Sequence, residues 1–240
     1  MNVETIGIVH SCFKEKFGTP RQGNLVAHSY GYIEFAERWD PYKCLLGLEE
    51  FSHVWVIFWF HENKNLSYRP TVNPPRLPTE QRIGALASRS PLRPNPIGLS
   101  LVKIEKVEAP RLYLSGLDLI DGTPVLDIKP YIHGYDSVAD SRQGWLERVA
   151  AENLEVRFSD EAAACIMQHR NPHLQQIICD ILRNDIRNRN DKRGKNAGKV
   201  LGFYYDDLNI VFQIIDGVVM VMRVEKRGNT LISTKLPDLG

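Results

Sequence analysis

The sequence has almost no charge of one sign in excess. Its 30 lysines and arginines stand against 29 aspartates and glutamates, a formal net charge of +1. Composition alone therefore does not announce a nucleic-acid binder, and any basic surface must be local. Cysteine is scarce, with Cys12, Cys44, Cys165 and Cys179 and no C-x-x-C pair. Zinc ribbons and thioredoxin-like motifs are thereby excluded. The scatter fits reduced cytosolic thiols better than a disulfide framework. Long apolar runs are missing. The most apolar stretch, Val54–Phe60, falls far short of the ~20 residues that span a bilayer. The N-terminus lacks the basic-then-apolar design of a signal peptide. A soluble, cytoplasmic protein without a membrane partner is expected. Glycine signatures are also absent: no G-x-G-x-x-G follows a strand, and there is no G-x-x-x-x-G-K-[ST]. His169 and His173 have a spacing that zinc hydrolases use, but Arg170 stands where their glutamate belongs and Pro172 disturbs the helix. The pair is read as a surface feature, and no metal is expected.

What is present divides into two regimes. Up to about Ile132, short β-like runs alternate with proline and glycine: Thr5–Val9, Tyr30–Phe35, Val54–Phe60, Ile83–Ala87, Ser100–Glu108, Arg111–Leu117 and Thr123–Ile128. Such punctuation predicts a mainly β fold with a compact N-terminal barrel. No strand–helix–strand alternation supports a Rossmann sheet. Val54–Phe60 is β-branched and aromatic throughout, which predicts a strand buried on both faces. Pro70, Pro74, Pro75 and Pro78 make 66–81 a long ordered loop. A linker is expected over 136–153. Beyond it, Leu154–Phe158 reads as a strand, and Ser159 caps a helix that starts at Asp160, breaks at Pro172 and resumes to about Ile186. Lys199–Tyr205, Asn209–Ile215 and Val218–Val224 follow as strands, with a hairpin at Asp216-Gly217. The expectation is a barrel domain over 1–135, a small α+β domain over 154–226 built as a helix on an antiparallel sheet, and a flexible tail over 227–240.

Chemistry concentrates in a few segments. Arg89-Ser90-Pro91-Leu92-Arg93-Pro94-Asn95-Pro96-Ile97-Gly98-Leu99-Ser100 is stiffened by its prolines, so the entropy of ordering it is largely removed in advance. Its two arginines can meet a carboxylate or phosphate in a fork, and Gly98 would let the backbone approach a ligand. A proline-stiffened surface loop is the plain alternative. In Leu117–Tyr131, Asp121-Gly122 can turn a hairpin, bringing Asp118, Asp121 and Asp127 near one region. Turn chemistry explains Asp118 and Asp121 equally well. Asp127 lies between Leu126 and Ile128, where an unpaired buried carboxylate is costly. A polar loop, Lys14–Gln22, follows the first strand, and His61-Glu62 sits where the apolar strand exits. Arg183–Lys199 is strongly basic, which is most often a solvated face.

The Pro20-Arg21-Gln22 loop, His61-Glu62, Arg89–Gly98 and Asp121–Tyr131 together resemble the TsaA-like tRNA (N6-threonylcarbamoyladenosine(37)-N6)-methyltransferase family (TrmO). The likeness covers about residues 3–132. It is looser over Leu154–Val224, in layout more than in motif. Asn73-Pro74-Pro75-Arg76 also resembles the Asn-Pro-Pro-aromatic signature of Rossmann-type amino methyltransferases, but lacks the aromatic and the glycine-rich partner. The TrmO resemblance implies a small barrel, a homodimer, and S-adenosyl-L-methionine bound near the subunit interface. By position, it assigns donor contacts to Pro20, Arg21, Gln22, His61, Glu62, Arg89, Leu99, Asp118, Leu119, Ile120, Asp121 and Gly122. Many members have His-Gln where this chain has His61-Glu62. A ureido N–H is a poor nucleophile until its proton leaves, so a positioned base would help. Asp127 is the candidate, and Tyr131 is the alternative that orients substrate. With a tRNA substrate, Arg69, Arg76, Arg93, Lys192, Arg193 and Lys195 become phosphate-contact candidates. The rivals are a methyltransferase of this fold with another RNA or small-molecule substrate, and a non-catalytic donor- or RNA-binding module.

Overall fold

The computed structural model describes residues 2–63, 67–78, 80–149, 153–187, 192 and 198–227. In chain order its elements are β1 (Gly7–Ser11), β2 (Tyr30–Phe35), α1 (Pro41–Cys44), β3 (His53–Trp59), β4 (Thr71–Val72), β5 (Ile83–Gly84), β6 (Ile97–Glu108), β7 (Arg111–Ser115), β8 (Pro124–Pro130), α2 (His133–Asp136), β9 (Glu155–Phe158), α3 (Asp160–Met167), α4 (Leu174–Arg183), β10 (Leu201–Tyr205), β11 (Leu208–Ile215) and β12 (Val218–Lys226).

Six strands close into a barrel in the order β1-β2-β7-β6-β3-β8. The reason is visible in the period-2 pattern: Val54, Val56 and Phe58 point inward from β3 and are buried, with Val102, Leu112 and Leu114 from neighbouring strands. Each such side chain contributes about 1.5–3 kcal/mol by leaving water. Closing the sheet removes free edges. The outer face of β3 departs from expectation. Trp55 and Ile57 are half-buried and Trp59 is 39% exposed, so this strand is buried on one face, not both. Register places Trp59 opposite Ile97 and Ile57 opposite Leu99, and Ile97 and Leu99 are 38% and 51% exposed. The run reads as doubly buried because its outer side chains are apolar as well.

Three further expectations change. The 66–81 segment contains a strand: β4 pairs with β5. The expected strand over Ile83–Ala87 shortens to β5 and then turns through a 3-10 segment, Ala85–Ala87. Asp121-Gly122 turns no hairpin, because β7 and β8 are not neighbours in the barrel; the chain between them crosses to the far side.

The second unit has Ser159 at the N-cap of α3, its side chain accepting from the Ala162 amide at 3.1 Å. Helix α4 follows Pro172 and buries Leu174, Ile177, Ile178, Ile181 and Leu182. The sheet order is β10-β11-β12-β9. It is mixed, not wholly antiparallel, since β9 joins β12 in parallel. That pairing follows from α3 and α4, which carry the chain back over the sheet after β9.

The two units share packing. Phe13 bridges to Tyr205, and the Asp206 amide donates to the Cys12 carbonyl at 2.7 Å. The Tyr204 amide donates to Glu15 Oε1 at 3.1 Å. Gly18, at φ +92°, presses on Phe203; a Cβ there would stand 2.5 Å from that ring. The His28 and His173 rings stack at 4.1 Å. No helix among the described residues is long and apolar enough to cross a membrane. Of the tail expected over 227–240, residues 228–240 lie outside the described residues, as do Arg193 and Lys195.

Candidate methyl-donor site

The site is built where three loops meet at one end of the barrel: the segment after β1, the turn before β8, and the proline loop before β6. After β1 the chain leaves the ladder, and Ser11 turns its amide to Asp121 Oδ1 at 2.8 Å. Lys14 Nζ then reaches Asp121 Oδ2 at 3.3 Å and the Ser11 carbonyl at 2.7 Å. Gly122 turns beside the His61 ring. His61 Nε2 lies 3.5 Å from Glu62 Oε1, and Lys16 Nζ donates to the Glu62 carbonyl at 2.5 Å. Leu119 is buried, and the carbonyl of Ile120 accepts from the Thr123 hydroxyl at 2.6 Å. The 118–122 turn is thus fastened at both ends.

A second group lies alongside. Arg89 donates to the Gln22 side-chain oxygen, joining the proline loop to the Pro20-Arg21-Gln22 loop. Pro20 is buried, while Arg21 is exposed at its edge and donates to the carbonyl of Asp185 at 3.3 Å. Asp118 is the unusual member. Its carboxylate is enclosed, and Oδ1 has neither solvent nor a hydrogen-bond partner among the described residues. Burial pushes this carboxyl up from 3.8 to about 6, against the opposing pull of Ser100, its own amide, the Gly23 amide and Arg89.

The proline loop holds itself in shape. Ser90 and Leu92 amides donate to the hydroxyls of Ser88 and Ser90. Arg93 turns back to the Ser88 carbonyl at 3.0 Å, and Asn63 Nδ2 donates to the Pro91 carbonyl at 3.0 Å. Gly98 has a different task from the one expected. A Cβ there would stand 2.1 Å from the Phe58 ring, so this glycine makes room for a core aromatic, not for a ligand.

Asp127 also differs. It stands opposite Ile57 on the outer face of β8, its side chain 47% exposed and paired to Lys129 at 2.9 Å. The buried carboxylate between apolar neighbours is Asp118, with Leu117 and Leu119 on either side. Tyr131 packs edge-on to Trp55 and His53 at 6.0 and 6.3 Å. The three aspartates therefore occupy three environments: an enclosed site, a turn and an outer strand face. Ser100, Lys14 and Lys16 belong to the site although no sequence argument gave them a role. The only signal was their place inside segments already singled out. Of the basic candidates, Arg69 is exposed and Arg76 half-buried. Lys192 lies 3.1 Å from Asp185. Among the described residues, no group of three His, Cys, Asp or Glu could hold a metal ion.

An enclosed acceptor without a donor fits a ligand that brings its own N–H or O–H groups. The ammonium, ribose hydroxyls and adenine amine of S-adenosyl-L-methionine meet that requirement.

Comparison with known proteins agrees. The tRNA-methyltransferase O N-terminal domain model matches residues 8–137, and the TrmO C-terminal domain model matches 151–227. A tRNA (adenine(37)-N6)-methyltransferase of Escherichia coli is 36% identical over 230 residues, covering 93% of this chain and 97% of that protein. A putative S-adenosylmethionine-dependent methyltransferase, RcsF, of Pseudomonas aeruginosa is 42% identical and covers 75% and 78%. A crystal structure of TrmO from Pseudomonas aeruginosa superposes with a TM-score of 0.77 at 35% identity, over 94% of this chain and 98% of that one. The enclosed Oδ1 of Asp118 and the two loops joined by Arg89 and Gln22 thus stand in a chain that belongs to the tRNA-methyltransferase O family.

Proposed function

We propose that this protein is an S-adenosyl-L-methionine-dependent methyltransferase that methylates N6 of N6-threonylcarbamoyladenosine at position 37 of tRNA. The observation that carries the donor half is the orphan Oδ1 of Asp118 beside Arg89 and Gln22. The acceptor half rests on the names of the relatives, which include the tRNA (adenine(37)-N6)-methyltransferases of Escherichia coli and Mus musculus. When bound, the donor supplies an electrophilic methyl group on sulfur. The new N–C bond forms as the C–S bond breaks, S-adenosylhomocysteine leaves, and the nitrogen loses its proton. The protein's part is alignment. The 118–122 turn and the Pro20–Gln22 loop hold the donor, and His61, Glu62 and Leu99 complete its surroundings.

Asp127 is assigned as the group that takes the proton, with Tyr131 orienting the acceptor. Because Asp127 lies on an outer face, this assignment goes with a homodimer. The row Asp127–Ile57–Leu99, with exposed Trp59 and Ile97 beside it, supplies an apolar patch of the kind two copies cover. The second copy would then place its outer face against the donor pocket of the first. The division into a catalytic barrel over 1–135, a connection over 136–153 and an accessory unit over 154–226 belongs to the same reading. So does a cytoplasmic location, consistent with the four free cysteines. The accessory unit contacts tRNA phosphates through Lys192, Arg193 and Lys195, helped by Arg69, Arg76 and Arg93.

The test is transfer of isotope-labelled methyl to tRNA with and without the threonylcarbamoyl group. Labelling of the modified tRNA alone is expected, and donor binding without transfer refutes the enzymatic reading. Asp127→Asn should lower turnover by about 10²-fold or more while donor binding stays intact. Near-normal turnover removes the assignment of Asp127.

A further inference from the structure

Asp185 lies just beyond α4 at φ +41°, in the left-handed region that aspartate and asparagine enter more readily than other non-glycine residues. It is 6% exposed, one of the few charged residues in the interior. Its carboxylate is saturated. Arg187 donates from Nε to Oδ1 at 2.9 Å and from its guanidinium to Oδ2 at 3.0 Å. The Arg187 amide adds a contact to Oδ1 at 3.3 Å, and Lys192 Nζ lies 3.1 Å from Oδ2. Burial pushes this carboxyl up, but Arg187 and Lys192 outweigh it and hold the group below its ordinary value.

A side chain locked in this way fixes its own backbone. The carbonyl of Asp185 is the group that accepts from Arg21 at 3.3 Å. Arg21 sits between buried Pro20 and Gln22, and Gln22 meets Arg89. Pro20 and Arg21 also share a cavity of about 140 Å³ with Asp180, Asn184 and Ile186 of the second unit. A continuous line of contacts therefore runs from Lys192 through Asp185, Arg21 and Gln22 to Arg89, with Asp118 beyond it.

We propose that Asp185 is a positioning residue for methyl-donor recognition: its clamped carbonyl orients Arg21, so the second unit takes part in shaping the donor site. This rests on the donor reading given above. Displacements of about 1 Å near a reacting centre cost large factors in rate, so fixing one arginine from a separate unit is consequential. A residue that merely stabilised the second unit would lower the melting temperature and leave donor affinity unchanged.

The experiment compares wild type, Asp185→Ala, Arg21→Ala and the double variant, all as full chains. Affinity for S-adenosyl-L-methionine is read by calorimetry, and hydrogen exchange of residues 18–25 is read without ligand. We expect Asp185→Ala to weaken binding about fivefold and Arg21→Ala about tenfold, the scale of one lost charge-assisted hydrogen bond. The double variant should be no weaker than Arg21→Ala, and exchange in the loop should quicken severalfold in Asp185→Ala. Asp185→Asn keeps the left-handed turn and loses only the charge, so it supplies the same reading if the alanine variant unfolds. Unchanged affinity in both Asp185 variants, or losses that multiply in the double variant, overturns the proposal. Wild type that binds no donor refutes the donor reading instead, while unaltered loop exchange in Asp185→Ala refutes the link between Asp185 and Arg21 independently.

Discussion

Replacing Asp118 by asparagine separates stability from binding at the donor pocket. Burial raises this carboxyl from 3.8 to about 6. The ionised form is therefore less favourable in the folded protein than in the unfolded chain, by about 3 kcal/mol at 1.36 kcal/mol per pKa unit. The folded state binds the proton more tightly, so stability falls as pH rises from about 4 to about 6 and is level above. Asp118→Asn has no proton to lose there. Any fixed cost of fitting the amide is the same at every pH, so the difference between variant and wild type should move in the variant's favour by up to about 3 kcal/mol across about pH 4 to 7. Urea unfolding at several pH values measures this directly. Donor binding should run the other way. If Oδ1 accepts from the ligand, wild-type affinity for S-adenosyl-L-methionine rises as the carboxylate ionises. The variant should bind about 10–100-fold more weakly near neutral pH, the equivalent of a charged hydrogen bond. Parallel stability curves for the two proteins would refute the enclosed carboxylate, and equal donor affinity at neutral pH would refute its role in binding.

Two other outcomes follow from the packing. Gly18→Ala adds a Cβ against the buried Phe203 ring at φ +92°, and should destabilise by about 2–4 kcal/mol in thermal or urea unfolding. A loss below about 0.5 kcal/mol would show that the two units yield at this contact. Leu99→Arg places a charge in the exposed apolar row on β6, so under the proposed homodimer light scattering should record a dimeric wild type and a monomeric variant, with the barrel's circular dichroism unchanged; an unaltered mass would remove this face as the interface.

Much of the barrel was legible because its strands are short, β-branched and separated by prolines and glycines. The segment Ser100–Glu108 sits within β6, and Tyr30–Phe35 is β2. What the pattern could not supply was the side to which each residue turns. Asp118 and Asp127 have the same kind of neighbours, Leu117 and Leu119 in one case and Leu126 and Ile128 in the other. Asp127 lies in a regular strand and alternates to the outside, whereas Asp118 lies in a crossing turn that the barrel end encloses. That difference is tertiary. Val54–Phe60 misleads for a related reason: an apolar outer face looks like a second buried face until its exposure is seen. Asp185 had no local signal, since its importance comes from Arg21, far away in the chain.

The barrel's closing seam has a consequence for how this pocket can change. β1 and β8 pair through only Gly7–Val125 and Ile8–Pro124. Beyond that point the join continues through the 120–123 turn: Gly122 donates to the Val9 carbonyl, Val9 donates to the Thr123 carbonyl, and Asp121 takes the Ser11 amide. The rim that carries the candidate donor site is also the clasp that shuts the cylinder. A change in this turn that altered the candidate site would loosen the barrel in the same step, so the shape of the rim and the closure of the cylinder cannot be varied separately.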